Sequence, residues 1–149
     1  MKVNKDCLLL IAEFEGLSLR PYLCQAKKAT IGYGNCYYKD GKKVTMLDKN
    51  ITKEEALELL KVIVDSFAKE VNKLVVSPLN QNQFNALVSF TYNVGANNLK
   101  NSTLLKLINK DPNQLAISNE FLKWVNAGGE KSKGLERRRI KESQIYFKK

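Results

Sequence analysis

Apolar residues near the start of the chain recur at helical spacing. Leu8, Ile11 and Ala12 stand at i, i+3 and i+4, and Glu15 falls on the same stripe at i+7. The spacing predicts a short helix that ends at Gly16. Glu13, two positions before Glu15, points to nearly the opposite face. From residue 17 to 48 alternating and glycine-containing runs replace the helical period. Thr30-Ile31-Gly32-Tyr33-Gly34 and Val44-Thr45-Met46-Leu47 predict short strands, with Asp40-Gly41 as a turn. Helical spacing returns at Thr52-Lys53-Glu54-Glu55, which has the form of a capping box. Ala56, Leu59, Leu60, Ile63, Phe67, Val71 and Leu74 carry a core-facing stripe onward, ahead of Pro78.

Further helices follow. Asn80 and Gln83 form a second capping box, Phe84, Leu87, Val88, Thr91 and Tyr92 share a face, and Gly95 is the stop. Ser102 caps a helix over Thr103–Asn109. Asp111-Pro112 predicts the opening of another that runs to Trp124 and Val125, with proline at its first position. Gly128-Gly129 reads as a loop, and Leu135–Phe147 as a final basic helix. The expected fold class is α+β, predominantly helical. One domain spans 1–149: an N-terminal helix plus β-lobe over about 1–50, a connecting helix over about 52–76, and a helical lobe over about 78–149. Trp124, among Phe121, Leu122 and Val125, reads as core rather than as a sugar platform.

Charge changes the picture of partners. Basic residues number 25 and acids 15, a net charge of +10. A field of that sign favours polyanions: nucleic acid, anionic lipid or an acidic cell wall. Histidine is absent, which excludes Ser/His and Cys/His catalytic pairs and any histidine-bearing zinc site. Cys7, Cys24 and Cys36 lack metal-ligand spacing, and their odd number argues against a complete disulfide framework. The apolar run Cys7–Ala12 breaks at Glu13 and reads poorly as an export signal. No stretch is long enough to span a membrane. No metal or organic cofactor is implied.

Candidate chemistry lies in the first 34 residues. Glu15 is expected to lean inward at the end of its helix. A helix C-terminus and apolar neighbours both disfavour a charged carboxylate, as suits a proton donor. Cys24 follows as a potential base or nucleophile, then Thr30 as a hydroxyl at the entry to a glycine-punctuated strand. Such an order suits an acid and a water-holding pair on opposite walls of a cleft, as glycosidic cleavage requires. The alternatives are a helix-end ion pair for Glu15 and a small, half-buried residue for Cys24. Gly32 and Gly34 either admit a sugar close to the backbone or mark strand bulges. Arg137, Arg138 and Arg139 point in three directions about 100° apart on a helix. One could turn inward to a buried acid, with Glu15 the candidate, while Glu142 offers a local surface pair.

Read in order, these segments resemble the phage lysozyme (endolysin) family, glycoside hydrolase family 24. The resemblance runs through Glu15-Gly16, Tyr22, Thr30–Gly34, Thr52–Ala56, Pro78–Phe84, Ala86–Phe90 and Asn93-Val94-Gly95. It continues through Ser102–Leu105, Trp124, Gly134–Arg139 and Glu142. It implies a lysozyme-like two-lobed fold whose cleft lies between the lobes and whose long helix permits hinge opening. It also implies a muramidase cutting the β-1,4 bond between N-acetylmuramic acid and N-acetylglucosamine. The family pattern makes Glu15 the general acid and Thr30 a holder of the attacking water. Cys24 stands where most members carry aspartate, so it is base, water holder or nucleophile. Tyr33, Gly34 and Arg137 are the candidate substrate-binding residues. The implied partner is bacterial peptidoglycan, met by a monomer, with no nucleic acid and no stable membrane insertion. The implied route is accumulation in the host cytoplasm, then action on the periplasmic wall after membrane opening. A catalytically impaired peptidoglycan binder and a basic nucleic-acid-binding protein are the rival readings. Against the second, no stretch interleaves clustered basic residues with stacking aromatics.

Overall fold

Helix α1 (Lys5–Phe14) forms on the predicted stripe and stops just before Glu15. Leu8, Leu10 and Ile11 are buried, Glu13 is exposed and Glu15 is half-buried. The structure is a computed structural model that describes residues 1–149. It divides into two compact units, residues 8–65 and residues 1–7 with 66–149. No helix is long and apolar enough to cross a membrane.

In the unit 8–65, β1 (Ser18–Leu23) and β2 (Ala29–Gly32) pair antiparallel, with Tyr22 opposite Thr30 and Leu23 opposite Ala29. The predicted strand Thr30–Gly34 is shorter than expected. Gly32 and Gly34 adopt φ of 70° and 95°, a region that L side chains rarely enter. The chain turns there, and Ile31 and Asn35 exchange backbone hydrogen bonds of 2.8 and 2.9 Å. The predicted strand Val44–Leu47 does not form. Val44 is buried with Ile31 and Leu59, flanked by Ala29, Tyr38 and Ile51. Beyond it Asp48 takes over the backbone: the Thr45 amide donates to its Oδ2 (2.8 Å) and the Thr45 hydroxyl to its Oδ1 (2.6 Å). Such local side-chain bonds compete with a sheet ladder, and here they make a turn.

Helix α2 (Lys53–Leu74) begins with both halves of its capping box. The Thr52 amide donates to Glu55 Oε1 (3.0 Å) and the Glu55 amide to Thr52 Oγ1 (3.1 Å). Ala56, Leu60 and Val71 of the predicted stripe are fully buried, as is Val64 outside it, while Ile63, Phe67 and Leu74 are half-buried. The boundary between the two units falls inside this helix, after Asp65.

The other unit centres on α3 (Gln81–Val94), which carries the complete Asn80/Gln83 capping box and buries every residue from Gln83 to Thr91. A helix enclosed on all sides is more than its single apolar face predicts. After α4 (Ala96–Lys100) comes α5 (Thr103–Lys110), where Ser102 Oγ accepts the Leu105 amide at 3.0 Å. The helix predicted from Asp111-Pro112 to Trp124 and Val125 forms only in the middle of that range, over Ala116–Phe121. Asp111 ends α5 instead, and the Pro112 carbonyl accepts the Tyr146 hydroxyl (2.7 Å) and Gln83 Nε2 (3.3 Å). That carbonyl is committed to tertiary contacts rather than to a helix of its own. Helix α6 (Ala116–Phe121) is short and stops before Trp124. The Gly128-Gly129 loop is the tip of a hairpin, β3 (Asn126–Ala127) with β4 (Glu130–Lys131), at φ of 60° and 83°. Two successive positive φ angles are the requirement of a two-residue hairpin turn. Helix α7 (Lys133–Tyr146) starts earlier than expected because Ser132 Oγ accepts the Leu135 amide at 3.2 Å. It packs against α3. Phe90 stands edge-on to both Phe121 and Trp124, each at 5.6 Å between ring centres.

Candidate active site

Glu15 follows the last turn of α1, its amide donating to the Ala12 carbonyl at 3.2 Å. With Gly16, Leu17 and Ser18 from the entry to β1, Tyr22 from β1, and Tyr33 and Gly34 from the glycine turn, it lines an open cavity of about 340 Å³. One carboxylic acid, two aromatic rings and a glycine-edged floor thus share a concave surface. Tyr33 and Gly34 sit on this surface because the turn after Gly32 brings them there. Tyr22 and Ser18 are lining residues that sequence reasoning left out of the site. The register would have found Tyr22, which lies directly across from Thr30. Arg137 is not among the residues of this cavity and is exposed on α7.

Cys24 and Thr30 do not line that cavity, but the sheet ties them to it. Residues paired across an antiparallel ladder leave the same face, and residues two apart along a strand do as well. Thr30 therefore shares a face with Tyr22, and Cys24 continues it just past the strand. The turn between the strands is fixed by the Cys24 amide on the Lys28 carbonyl (3.1 Å) and the Lys27 amide on the Cys24 carbonyl (2.8 Å). Cys24 is half-buried, and its thiol is held below the ordinary range. Hydrogen bonding from the Lys28 backbone is the main cause, the Thr30 hydroxyl adds to it, and partial burial opposes both. Thr30 itself is 2% exposed. Its hydroxyl donates to the Lys28 carbonyl at 2.9 Å and lies 3.8 Å from Cys36 Sγ. With one proton and three acceptors in reach, the Lys28 carbonyl and the Cys24 and Cys36 sulfurs, Thr30 supports a Cys24 thiolate only by turning that proton from Lys28 to Cys24.

None of the three cysteines is in a disulfide. Cys7 is buried with its thiol 3.7 Å from the Asn85 carbonyl. No group of three or more Cys, Asp or Glu side chains is placed to hold a metal ion.

The arginine cluster departs from expectation. The pair with Glu142 is buried rather than at the surface, and it engages two arginines, not one. Arg138, Arg139 and Glu142 are 3%, 0% and 0% exposed. Glu142 Oε2 accepts from the Ser89 hydroxyl (2.6 Å) and Arg138 Nε (3.1 Å), and its Oε1 accepts from Arg139 Nη1. Arg139 also donates to the Trp124 carbonyl at 2.9 Å and to Asn93 Oδ1, and its guanidinium lies 5.1 Å from the Phe90 ring centre. Burial lowers the proton affinity of Arg139, and Glu142 opposes that. The Arg-Arg-x-x-Glu spacing was the available signal. What it does not reveal is that α3 closes over it. Trp124 is half-buried against Phe90 and also borders a polar cavity of about 500 Å³ with Asn93, Lys123 and Arg139.

Comparison with known proteins bears on this arrangement. The endolysin of Bacillus phage B103 is 40% identical over 149 residues, which are 99% of this chain and 54% of that protein. The chain thus spans about half the length of the Bacillus phage relatives it matches. The structure of an endolysin from Escherichia coli O157:H7 phage FAHEc1 superposes with a TM-score of 0.83 at 39% identity, covering 98% of this chain and 93% of that one. A variant of P22 lysozyme superposes with a TM-score of 0.89 at 31% identity, covering 99% of both chains. Residues 12–142 match the phage lysozyme family from the end of α1 to Glu142, and the chain belongs to that family.

Proposed function

We propose that the chain is an endolysin muramidase that hydrolyses the β-1,4 bond between N-acetylmuramic acid and N-acetylglucosamine in peptidoglycan. The observation that carries this reading is the position of Glu15 on the wall of an open cavity beside Tyr22, Tyr33 and Gly34, in a chain of the phage lysozyme family. Relatives named endolysins and a lysozyme support it.

In the proposed reaction Glu15 gives its proton to the glycosidic oxygen as the bond to the anomeric carbon breaks. Water attacks the opposite face, which inverts the anomeric centre. The Cys24 thiolate takes the proton that water loses, and the lowered proton affinity of that thiol, caused first by the Lys28 backbone, favours this form. Thr30, whose own proton is directed to Lys28, offers its oxygen lone pairs to a water O–H and so orients the nucleophile. Tyr33 and Gly34 contact the sugar, and Arg137 contributes to binding of the anionic wall. The chain works as a monomer, does not act on nucleic acid, and is not stably inserted in a membrane. It accumulates in the host cytoplasm and reaches the periplasmic wall after the membrane opens. The name SAR-endolysin among its relatives makes a secreted route the competing outcome.

Clearing of permeabilised Gram-negative cells tests the reading. Glu15→Gln keeps the shape and loses the proton, so clearing should fall by about 10²–10⁴-fold with the thermal transition in place. Near-normal clearing by this variant would remove Glu15 from its role. NMR of the first product formed from a defined glycan should give the α anomer; the β anomer would point to a covalent intermediate on Cys24.

A further inference from the structure

The proposed reaction leaves Cys36 unused, yet its thiol lies against Thr30. Cys36 Sγ is 3.8 Å from Thr30 Oγ1, and backbone pairing places the two residues there. Ile31 and Asn35 exchange hydrogen bonds, so the next residues outward, Thr30 and Cys36, stand across from each other. The Cys36 carbonyl accepts the Val44 amide at 2.9 Å, and Val44 is buried with Ile31 and Leu59. Asn35 is tied to α2 as well, its Nδ2 donating to the Leu59 carbonyl at 3.2 Å. The half-buried thiol therefore sits on fixed backbone. Across its other edge Thr30 faces Tyr22, two residues before Cys24. One hydroxyl thus lies between two thiols.

Counting protons gives the contact a direction. A thiol and a hydroxyl can each donate or accept. The Thr30 proton goes to the Lys28 carbonyl at 2.9 Å or, when turned, to the Cys24 sulfur. In neither place does it serve Cys36. The arrangement that remains has the Cys36 S–H donate to Thr30 Oγ1, taking one of its two lone pairs and leaving the other for water. Turning the Thr30 proton does not orphan the Lys28 carbonyl, because that carbonyl also accepts the Cys24 amide at 3.1 Å. A hydroxyl that accepts a hydrogen bond becomes a better donor. Cys36, Thr30 and Cys24 therefore form a relay in which the first bond strengthens the second. Hydrogen bonds and partial burial, rather than a charged side chain, act on the Cys24 thiol, and a change in the relay is felt there.

We propose that Cys36 is a positioning residue: its S–H, donated to Thr30 Oγ1, orients and polarises that hydroxyl for Cys24 and for the attacking water. The proposal rests on the hydrolytic roles given to Cys24 and Thr30. Its own effect is read by alkylation of Cys24, which needs no hydrolysis.

Iodoacetamide labelling of the folded full chain across pH, read by peptide mass spectrometry, tests it. Cys36→Ala should move the Cys24 profile to higher pH, by less than Thr30→Val does, because Thr30 keeps its own proton. Cys36→Val removes the donor but fills the space, and should give the same shift. In a Thr30→Val background Cys36→Ala should add nothing, since the link between the two sulfurs is gone. On a defined glycan both Cys36 variants should lower kcat about two- to tenfold, the worth of one modest hydrogen bond, with KM and circular dichroism at wild-type levels. An unmoved Cys24 profile overturns the proposal. So does a shift in Cys36→Ala alone, which is an effect of packing. A shift that persists undiminished in the Thr30→Val background bypasses Thr30 and equally overturns it, as does wild-type kcat in both Cys36 variants while Cys24→Ala is inactive. Normal clearing by both Cys24→Ala and Thr30→Val would instead sink the hydrolytic roles, and the labelling result would still decide whether Cys36 acts through Thr30.

Discussion

Residues 8–65 leave Leu17, Leu19, Leu23, Met46 and Leu47 exposed, whereas α3 in the helical unit buries every residue from Gln83 to Thr91. The hairpin unit holds its shape with short-range bonds: the Ile31–Asn35 exchange, the Cys24–Lys28 turn and the Asp48 clamp. One buried cluster there joins Ile31, Val44 and Leu59, while Leu8, Leu10, Ile11, Ala56, Leu60 and Val64 are buried in its helices. The helical unit does the reverse. It encloses aromatic side chains and takes in two guanidinium groups and a carboxylate as well. Buried charge is tolerable only when its hydrogen bonds are nearly complete, and Glu142 meets Ser89, Arg138 and Arg139 at once. The contrast separates two duties. The candidate chemistry sits beside the turns of the hairpin unit, which local hydrogen bonds fix. The unit with the deeper core keeps its strongest electrostatics for folding.

The sharpest way to break this division is to remove the central acid of the helical unit. Glu142→Gln leaves the Arg138 and Arg139 guanidinium groups buried with a neutral partner. It should cost about 3–5 kcal/mol, as truncating one side of a buried ion pair does. Chemical denaturation read by circular dichroism measures this. If the loss stays within about 0.5 kcal/mol, the range of ordinary surface substitutions, the network is not a folding element. Residual clearing per folded molecule should stay close to normal, in contrast with Glu15→Gln.

The junction between the two styles is α2, whose first turn lies in the hairpin unit and whose last turn lies in the helical one. Its capping box is reciprocal and exposed, with both bonds near 3 Å. Thr52→Ala should therefore cost about 1 kcal/mol, and Thr52→Ser very little. Differential scanning calorimetry of the two variants checks this. A loss as large as that of Glu142→Gln would mean that the cap also holds the hairpin unit together.

Legibility from sequence follows the same divide. The helices with strong local signals, at Thr52, Asn80 and Ser102, form where their caps predict, because caps and stripes act within a few residues. Asp111-Pro112 carries a good local signal, yet the helix starts only at Ala116, since Tyr146 and Gln83 claim the Pro112 carbonyl from far along the chain. Val44–Leu47 fails as a strand for a nearer reason, the preference of Asp48 for its own turn. Glu15 and the glycine run are readable as site material, because a stripe-ending acid and paired glycines are unusual where they stand. Tyr22 is not legible as a lining residue, as its place depends on which residue it faces across the sheet. The burial of Arg138 and Arg139 was equally hidden: their sequence spacing gives a pair with Glu142 but not the helix that covers it.

The smallest expected effect is the most specific to the hairpin unit. The Cys24 thiol is acidified by the Lys28 backbone first and the Thr30 hydroxyl second. An acid whose folded pKa is depressed is more ionised at each pH, so the pH profile for Cys24 alkylation should lie below that of an ordinary thiol. Iodoacetamide labelling followed by peptide mass spectrometry separates the sites. Cys24 should label ahead of Cys7, whose thiol is buried, and its rate should rise at lower pH than that of an unfolded control. Thr30→Val removes the second donor and leaves the first, so the profile should move up only part of the way. An unmoved profile would mean that Thr30 keeps its proton on Lys28 at all times. It would then serve water alone, not the thiolate. The same series bears on chemistry. Cys24→Asp supplies a permanent carboxylate and should keep clearing activity with a profile extended to lower pH. Cys24→Ala has no group to take the proton and should lose far more. Equal clearing by the aspartate and alanine variants would remove Cys24 from the reaction and leave Glu15 and Thr30 to explain it.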